Sequence, residues 1–339
     1  SKTHTAGRTT FQGEDHGVGG GDYITTFAGI ISKNTILFRD PSGNDGNTIE
    51  AYSDITLNRR ISFGNANEDQ LLSDYGSINN NHIVLGSGDN DFVCANFKGG
   101  SGVVSLNNNS ITFGSGSGNR VWQSSNGGAF SGNIINFNGG DSNDIQSLGD
   151  VSNNNVSYGD GSQNKLYADI SFSGNKVSFG NGSDNNVTAS ADGGGNIVTV
   201  GNGNNNSINI FNSGGGGSTF VMGIGSGNAI VTQGTHAKAD TFGFTLGTDL
   251  TNYMSVTGAQ SGDHVILASD NLANNYKNIA GTTTMASLYG SIVDGQTLIG
   301  NDGVNTFVVT EVGGVKGDIE FVGHVFAGST IANNILTLG

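Results

Sequence analysis

A block of β-strand residues headed by asparagine returns at a fixed interval, and this repeat constrains the fold more than any other feature. The blocks that begin at Asn154, Asn175 and Asn196 are each 21 positions apart. A second asparagine follows ten positions after each of them, at Asn164, Asn185 and Asn206. One coil is therefore ten plus eleven residues with two strands headed alike, and such a period is typical of solenoid proteins.

The ten-residue half of the coil extends beyond this centre, whereas the other half varies in length. The spacing of ten holds for the pairs Arg59 and Asp69, Asn81 and Asp91, Asn109 and Asn119, Asn133 and Asn143, and Ser218 and Asn228. Asn34 and Asn47 head the first coil. The sequence predicts an all-β chain: an N-terminal arm or cap over residues 1–33, a right-handed parallel β-solenoid of about nine coils over 34–231, and a β-rich C-terminal cap over 232–339.

Side-chain parity predicts which groups face inward. Residues two apart share a face of a strand, so the asparagine, the aliphatic residue two positions on and the bulky residue four positions on point the same way. The second strand carries Ala or Ser at its third inward position, opposite the bulky residues. Stacked coils place equal side chains about 4.8 Å apart, and we expect the asparagines to hydrogen-bond along the stack as a ladder.

Composition and charge exclude several function classes. Gly accounts for 58 of 339 residues, yet 18 Phe argue for a folded core, and the formal net charge is −15. This charge disfavours nucleic acid as a partner, because no basic patch is available for phosphate. No apolar run long enough to span a bilayer is present. The single cysteine, Cys94, is predicted to be a small core residue.

The turn-plus-strand unit resembles the calcium-binding nonapeptide of RTX (hemolysin-type) proteins. Gly86-Ser87-Gly88-Asp89-Asn90-Asp91-Phe92-Val93 keeps the aspartate and aliphatic offsets of that motif, while most other turns carry Asn in place of Asp. Because calcium prefers carboxylates, the resemblance implies few calcium sites. Asp69, Asp89 and Asp91 are the predicted metal ligands.

The C-terminal region also resembles type I secreted proteins. Asp240–Phe244 and Gly262–Leu267 resemble the strands that close RTX repeats, and Asn334–Gly339 resembles an uncleaved C-terminal export signal. The N-terminus has no apolar stretch of the signal-peptide kind. The resemblance implies an extracellular or cell-surface protein exported by bacterial type I secretion; a cap that protects the last coil edge is the structural alternative.

The sequence shows no recognisable catalytic centre, and we expect a protein without enzymatic activity and without a catalytic residue. The six histidines form no zinc-like spacing, and His82 takes an outward position in its strand. Glu14-Asp15-His16 is a weak metal or catalytic triplet. A solenoid enzyme acting on acidic polysaccharides requires clustered carboxylates with basic residues on one exposed sheet, whereas the outward positions here are mostly Ser, Thr, Asn and Lys. The nearest approach to such a cluster is Arg59, Arg60 and Arg120 with Asp69 and Asp91.

Two functions from different classes follow from these patterns. The first is a secreted or cell-surface structural protein, a building block of a filament, surface layer, adhesin or biofilm matrix. It assembles with itself head to tail, with calcium and with residues 1–33 as a donated strand, and cell-surface polysaccharide is a further partner. The second is a polysaccharide-active or carbohydrate-binding β-helix protein of the lyase or epimerase kind.

Overall fold

The computed structural model describes residues 10–13, 21–26, 29–38, 46–211, 214–247, 250–266, 275–332 and 334–339, with backbone alone for 10–13. Nearly all regular structure is β-strand, with one short described helix, and the chain is a parallel β-solenoid. The predicted fold class is thus confirmed, with about twelve turns instead of nine. The chain divides into two compact units, residues 1–177 and 178–339, a boundary that lies inside the predicted 34–231 repeat region.

The strands of unit 1 are short and follow one another three to a turn. They are β1 Thr10–Gly13, β2 Tyr23–Thr26, β3 Ile31–Ser32, β4 Thr35–Phe38, β5 Thr48–Ala51, β6 Ile55–Thr56, β7 Arg60–Ser62, β8 Gln70–Ser73, β9 Ile78–Asn79, β10 His82–Val84, β11 Phe92–Ala95, β12 Leu106–Asn107, β13 Ser110–Phe113, β14 Arg120–Gln123, β15 Ala129–Ser131, β16 Ile134–Phe137, β17 Asp144–Ser147, β18 Asp150–Ser152, β19 Asn155–Tyr158, β20 Lys165–Ala168 and β21 Phe172–Ser173. The next strand, β22 Lys176–Phe179, contains the boundary between the units.

Three parallel sheets enclose the core of unit 1, so its coil is three-sided. The first sheet runs β1-β4-β7-β10-β13-β16-β19, the second β2-β5-β8-β11-β14-β17-β20, and the third β3-β6-β9-β12-β15-β18-β21. The described strands of residues 1–33 pair in parallel with the next turn and form the first layer of these sheets. The triplet Glu14-Asp15-His16 lies outside the described residues.

Apolar side chains stack in columns inside unit 1, as parity predicts. The first sheet contributes rings that lie nearly parallel, with centroids 4.7 Å apart for Phe113 and Phe137 and 4.9 Å apart for Phe137 and Tyr158. The small inward positions of the second sheet, such as Ala95 and Ala168, are fully buried. This stacking removes apolar surface from water in every turn, which supplies the main stabilising free energy.

A column of buried asparagines heads the strands of the first sheet and joins consecutive turns. The side-chain Oδ1 of each asparagine accepts the backbone N–H of the asparagine one turn earlier, at 2.9–3.0 Å. The side-chain Nδ2 donates to a third-sheet carbonyl, as from Asn133 to Leu106 O at 2.7 Å. The first column thus uses the amide as acceptor and donor, which only Asn satisfies here. Its members are Asn34, Asn58, Asn81, Asn109, Asn133, Asn154 and Asn175.

A second column heads the strands of the second sheet and uses its side chains differently. Oδ1 again accepts a backbone N–H from the turn before, as Asn143 Oδ1 does from Asn119 at 3.1 Å. The amide Nδ2, however, donates to a glycine carbonyl of its own turn, as from Asn119 to Gly116 O at 2.9 Å. Because the contact between turns needs only an acceptor, an aspartate can replace the asparagine, and Asp69 and Asp91 do so.

Unit 2 contains parallel strands followed by antiparallel ones. Its elements are β23 Asn186–Ala189, β24 Asp192–Gly194, β25 Ile197–Val200, β26 Ser207–Ile210, β27 Thr219–Met222, β28 Ala229–Thr232, β29 Thr241–Phe244, β30 Met254–Thr257, β31 His264–Ile266, β32 Tyr276–Thr282, α1 Met285–Ser291, β33 Gln296–Asn301, β34 Thr306–Val312, β35 Val315–Val322, β36 Thr330–Ala332 and β37 Ile335–Thr337.

The last strands of unit 2 form the predicted β-rich cap. Strand β37 pairs antiparallel with β31 and with β36, and strands β33, β34 and β35 form an antiparallel meander beside β30. Helix α1 packs on this meander through Met285 and Leu288, which contact a cluster that includes Leu298 and Phe307. The cap changes the pairing direction and so ends the parallel stack.

The first asparagine column changes composition in unit 2. After Asn196 its positions are Ser218, Asp240 and Asp263, each still accepting a backbone N–H from the turn before. Strand β24 contributes the only third-sheet strand among the described residues of unit 2. Among the described residues of the following turns no third-sheet carbonyl is present for an amide donor. Asp240 and Asp263 only accept, and the Ser218 hydroxyl donates to Asp192 instead.

Candidate functional site

The three predicted metal ligands lie at one edge of unit 1, but in different environments. Asp69 and Asp91 are fully buried in the second column, whereas Asp89 is exposed in the turn that precedes strand β11. Asp91 Oδ1 accepts the backbone N–H of Asp69 at 3.0 Å, and Asp89 Oδ1 accepts that of Ser117 at 2.7 Å. Each carboxylate is thus an acceptor that joins one turn to the next.

Burial sets the protonation of Asp91. Its Oδ2 is buried without a hydrogen-bond partner among the described residues. Loss of water, then the neighbouring charge of Asp69, raises the pKa of Asp91 to about 8, against the hydrogen bond from the Asp69 N–H, which lowers it. The carboxyl is therefore mostly protonated at neutral pH.

The donor set is a poor match for calcium. This ion takes six to eight oxygen ligands, preferably from ionised carboxylates. Within the part of the chain that the structure describes, no three His, Cys, Asp or Glu side chains are grouped so that they could hold a metal ion. Calcium binding at Asp69, Asp89 and Asp91 stays a prediction, and the geometry gives these residues a structural role in the ladders.

The charged cluster proposed for a polysaccharide enzyme is divided between two sheets. Arg59 and Arg60 lie at strand β7 of the first sheet, and Arg120 begins strand β14 of the second. Arg120 Nε lies 3.4 Å from Asp144 Oδ2, and its Nη2 donates to the Gln146 side chain. Of the three arginines in this cluster, only Arg120 lies beside Asp91.

Aromatic side chains surround Arg120 on the outer face of the second sheet. The register pairs Phe92 with Arg120 and Cys94 with Trp122 on adjacent strands. The Arg120 guanidinium lies 4.7 Å from the centroid of the Trp122 ring. Phe92 stacks beside Trp122 with centroids 6.3 Å apart, and the edge of Phe97 meets Phe92 at 6.1 Å. We call Phe92, Phe97 and Trp122 the aromatic ledge.

A cavity of about 310 Å³ opens beside the aromatic ledge. Its lining combines an aromatic residue, an arginine, two amide residues, two acidic residues, of which Asp91 is fully buried, and a glycine: Phe92, Arg120, Gln70, Asn90, Glu68, Asp91 and Gly118. Gly118 leaves the gap because its turn position has φ +71° and carries no side chain. Pockets of this size that mix apolar and polar groups are typical of small-ligand sites.

The loop after strand β11 covers the other half of this face. Lys98 Nζ lies 2.7 Å from a carboxylate oxygen of Glu50 and of Asp74. Glu50, Leu72 and Cys94 are paired on successive strands, so the Lys98 side chain passes over Leu72 and Cys94 to reach Glu50. Cys94 is fully buried as predicted, although its side chain has outward parity, and burial raises its pKa to about 12. The exposed position predicted for His82 is also observed.

Unit 2 contains a buried acidic cluster that sequence reasoning missed. His236 Nε2 lies 2.7 Å from Asp263 Oδ1, and its Nδ1 lies 3.7 Å from Asp240 Oδ2. Asp192 joins the cluster through Ser218 Oγ, which donates to it at 2.9 Å. Desolvation first, with the charges of Asp263 and Asp192, raises the pKa of Asp240 to about 6, while His236 lowers it. The loss of Asn from the first column was the sequence signal for this site.

Comparisons with known proteins identify no relative of this chain. No protein-family model matches it, no curated protein matches it, and no solved structure matches it. Among the described residues, no helix has the length and apolar character needed to cross a membrane.

Proposed function

We propose that this chain is a secreted or cell-surface structural protein, a building block of a filament, surface layer or biofilm matrix. The observation that carries the proposal is the pair of ladders in unit 1, where side-chain oxygens bind backbone N–H groups of the preceding turn. Because every turn repeats these contacts, the stack is a regular scaffold whose cohesion requires no ligand.

Edge strands support assembly of the chain with itself. Strands β1, β2 and β3 each end their sheet among the described strands. Such edges present backbone groups that a strand from another copy can pair with. A contact between this edge and the last strands of a second copy, β32 or β36, is heterologous and propagates head to tail. Export by type I secretion and promotion of assembly by calcium belong to the same proposal.

A proline at the edge tests this assembly. Asp22 O accepts the N–H of Thr48, and Thr26 O accepts that of Tyr52. Even-numbered residues here therefore direct their backbone groups toward strand β5 of the next turn. Tyr23 has the opposite parity, and its N–H points to the open edge. We expect Tyr23→Pro to abolish association in sedimentation velocity, while Tyr23→Val, which keeps the N–H, associates like the unchanged chain. Equal sedimentation of all three proteins as monomers, or as oligomers, contradicts assembly through this edge.

One observation favours the carbohydrate-binding alternative as an additional property. The cavity beside the aromatic ledge brings a ring and several polar groups together on the second sheet. The division of Arg59 and Arg60 from Arg120 gives no support to turnover of acidic polysaccharides. Binding is therefore the part of this alternative that we carry forward.

A further inference from the structure

The cavity beside the aromatic ledge is lined by polar side chains that reach solvent. Gln70 is half-buried and Asn90 is exposed, and both residues line the cavity. A side-chain amide both donates and accepts hydrogen bonds. A ligand rich in hydroxyl groups, which also donate and accept, matches these two amides.

The apolar wall of the cavity selects the shape of that ligand. Phe92 lines the cavity and is held between the stacked Trp122 ring and the edge of Phe97. A ring fixed in this way offers a flat apolar surface at little cost in side-chain entropy. Pyranose rings match it, because they have an apolar face of C–H groups and a rim of hydroxyls.

The charges around the cavity disfavour an anionic ligand. Glu68 and Asp91 line the cavity, exposed Asp89 is near, and the whole chain has a net charge of −15. The cation at the site, Arg120, is already bridged to Asp144.

We propose that this cavity binds a neutral polysaccharide, with one pyranose ring against Phe92 and sugar hydroxyls bonded to the side-chain amides of Gln70 and Asn90. This proposal rests on the proposed function, because a scaffold outside the cell would meet polysaccharide there. Its test is run on dispersed protein, so that failure of assembly and failure of binding are separate results.

A cavity-filling substitution provides the sharpest test. Gly118→Gln introduces a side chain that this turn position already accepts, since Gln163 occupies it two turns later with φ 62°. The new Cβ meets only the end of the Asn90 side chain, at 2.5 Å from Oδ1. Gly227 has the same turn position in unit 2, with φ +72° and Asn205 Oδ1 at 2.5 Å. Gly227→Gln is therefore a matched control for backbone strain.

The experiment titrates each protein with neutral hexasaccharides of glucose, mannose and N-acetylglucosamine, and with oligogalacturonate as the anionic comparison. Trp122 is the single tryptophan and reports binding by fluorescence, with calorimetry in parallel. We expect at least one neutral sugar to bind the unchanged chain and Gly227→Gln alike, and to bind Gly118→Gln and Phe92→Leu about tenfold or more weakly.

Three results would overturn the proposal. The first is the absence of binding by every neutral sugar at millimolar concentration. The second is equal affinity of Gly118→Gln and the unchanged chain, which would place binding elsewhere. The third is binding of oligogalacturonate alone, which would show an ionic site. Thermal unfolding of both glutamine variants near the midpoint of the unchanged chain establishes that they are folded.

Discussion

Replacing Asp91 with asparagine should stabilise the protein, and the gain should grow with pH. The folded chain holds this carboxyl with a pKa of about 8, above the ordinary value of 3.8. Between these values the unfolded chain binds fewer protons than the folded chain, so the stability contributed by Asp91 falls as pH rises from about 4 to about 8. Asparagine is neutral throughout this range and keeps the Oδ1 that accepts the Asp69 N–H.

The size of the gain follows from the pKa difference. One pKa unit is equivalent to 1.36 kcal/mol, so Asp91→Asn should gain about 4 kcal/mol at pH 7 and nothing near pH 4. Above pH 8 the gain should level off at about 6 kcal/mol. The new amide would also supply an N–H donor. In the next turn the equivalent amide, that of Asn119, donates to Gly116 O at 2.9 Å.

The assay is urea unfolding in chelator from pH 4 to pH 9, followed by Trp122 fluorescence and circular dichroism. The charged groups near Asp91 are Asp69, Asp89, Glu68 and Arg120, and all remain in the variant. Asp89→Asn is the matched control, because it removes the same charge from an exposed position and should change stability by less than about 0.5 kcal/mol. A gain for Asp91→Asn that does not increase with pH, or a loss at pH 8, would refute the reasoning.

Three further predictions follow from the ladders and buried groups. Asn133→Ala should destabilise unit 1 by about 3–5 kcal/mol, because the N–H of Asn109 and the Leu106 carbonyl lose their partner; thermal unfolding measures this. Cys94 should resist a thiol-reactive dye at pH 8 until urea unfolds the chain, since burial raises its pKa to about 12, and mass spectrometry counts the adduct. His236→Gln should lower the unfolding midpoint more at pH 6 than at pH 4.5, because the imidazolium favours the ionised form of Asp240, which becomes populated as pH approaches 6.

Each of these predictions has a control or a contradicting result. The control for Asn133→Ala is Asn136→Ala. Asn136 lies on the outward face of the strand that Asn133 precedes, and its substitution should lower the free energy of unfolding by less than about 1 kcal/mol. Rapid labelling of Cys94 in the folded protein would show that the Lys98 loop does not protect it. For His236, the sign depends on Asp240, whose raised pKa makes stability fall as pH rises from about 4 to about 6. An equal loss at both pH values would exclude this electrostatic role.

The sequence allowed the coil and its two asparagine columns to be predicted, because one residue type at a fixed offset marks every turn. The third sheet was not predicted. Its apolar residue lies three positions before each first-column asparagine, as Ile55 does before Asn58 and Leu106 before Asn109. Its strands have only two or three residues and follow loops of variable length, which hid their alternation.

The candidate site was only partly predictable, for two physical reasons. The Oδ1 of an aspartate and that of an asparagine accept the same N–H, so the sequence pattern at Asp91 did not distinguish a metal ligand from a member of the ladder. The cavity depends on the register that places Phe92 beside Arg120, 28 positions later, and on the missing side chain of Gly118. The alignment of the column heads Asp91 and Asn119 implies that register, but the repeat pattern does not show the space that Gly118 leaves open beside Phe92.

Electron microscopy of the purified chain, in chelator and again after addition of calcium, tests the proposed function most directly. We expect ordered filaments or sheets for the unchanged chain and their loss in Tyr23→Pro. Filaments in both solutions would establish a scaffold that needs no metal, and filaments with calcium alone would assign a role to the sparse aspartates. Dispersed monomers in both solutions would contradict a self-assembling structural protein.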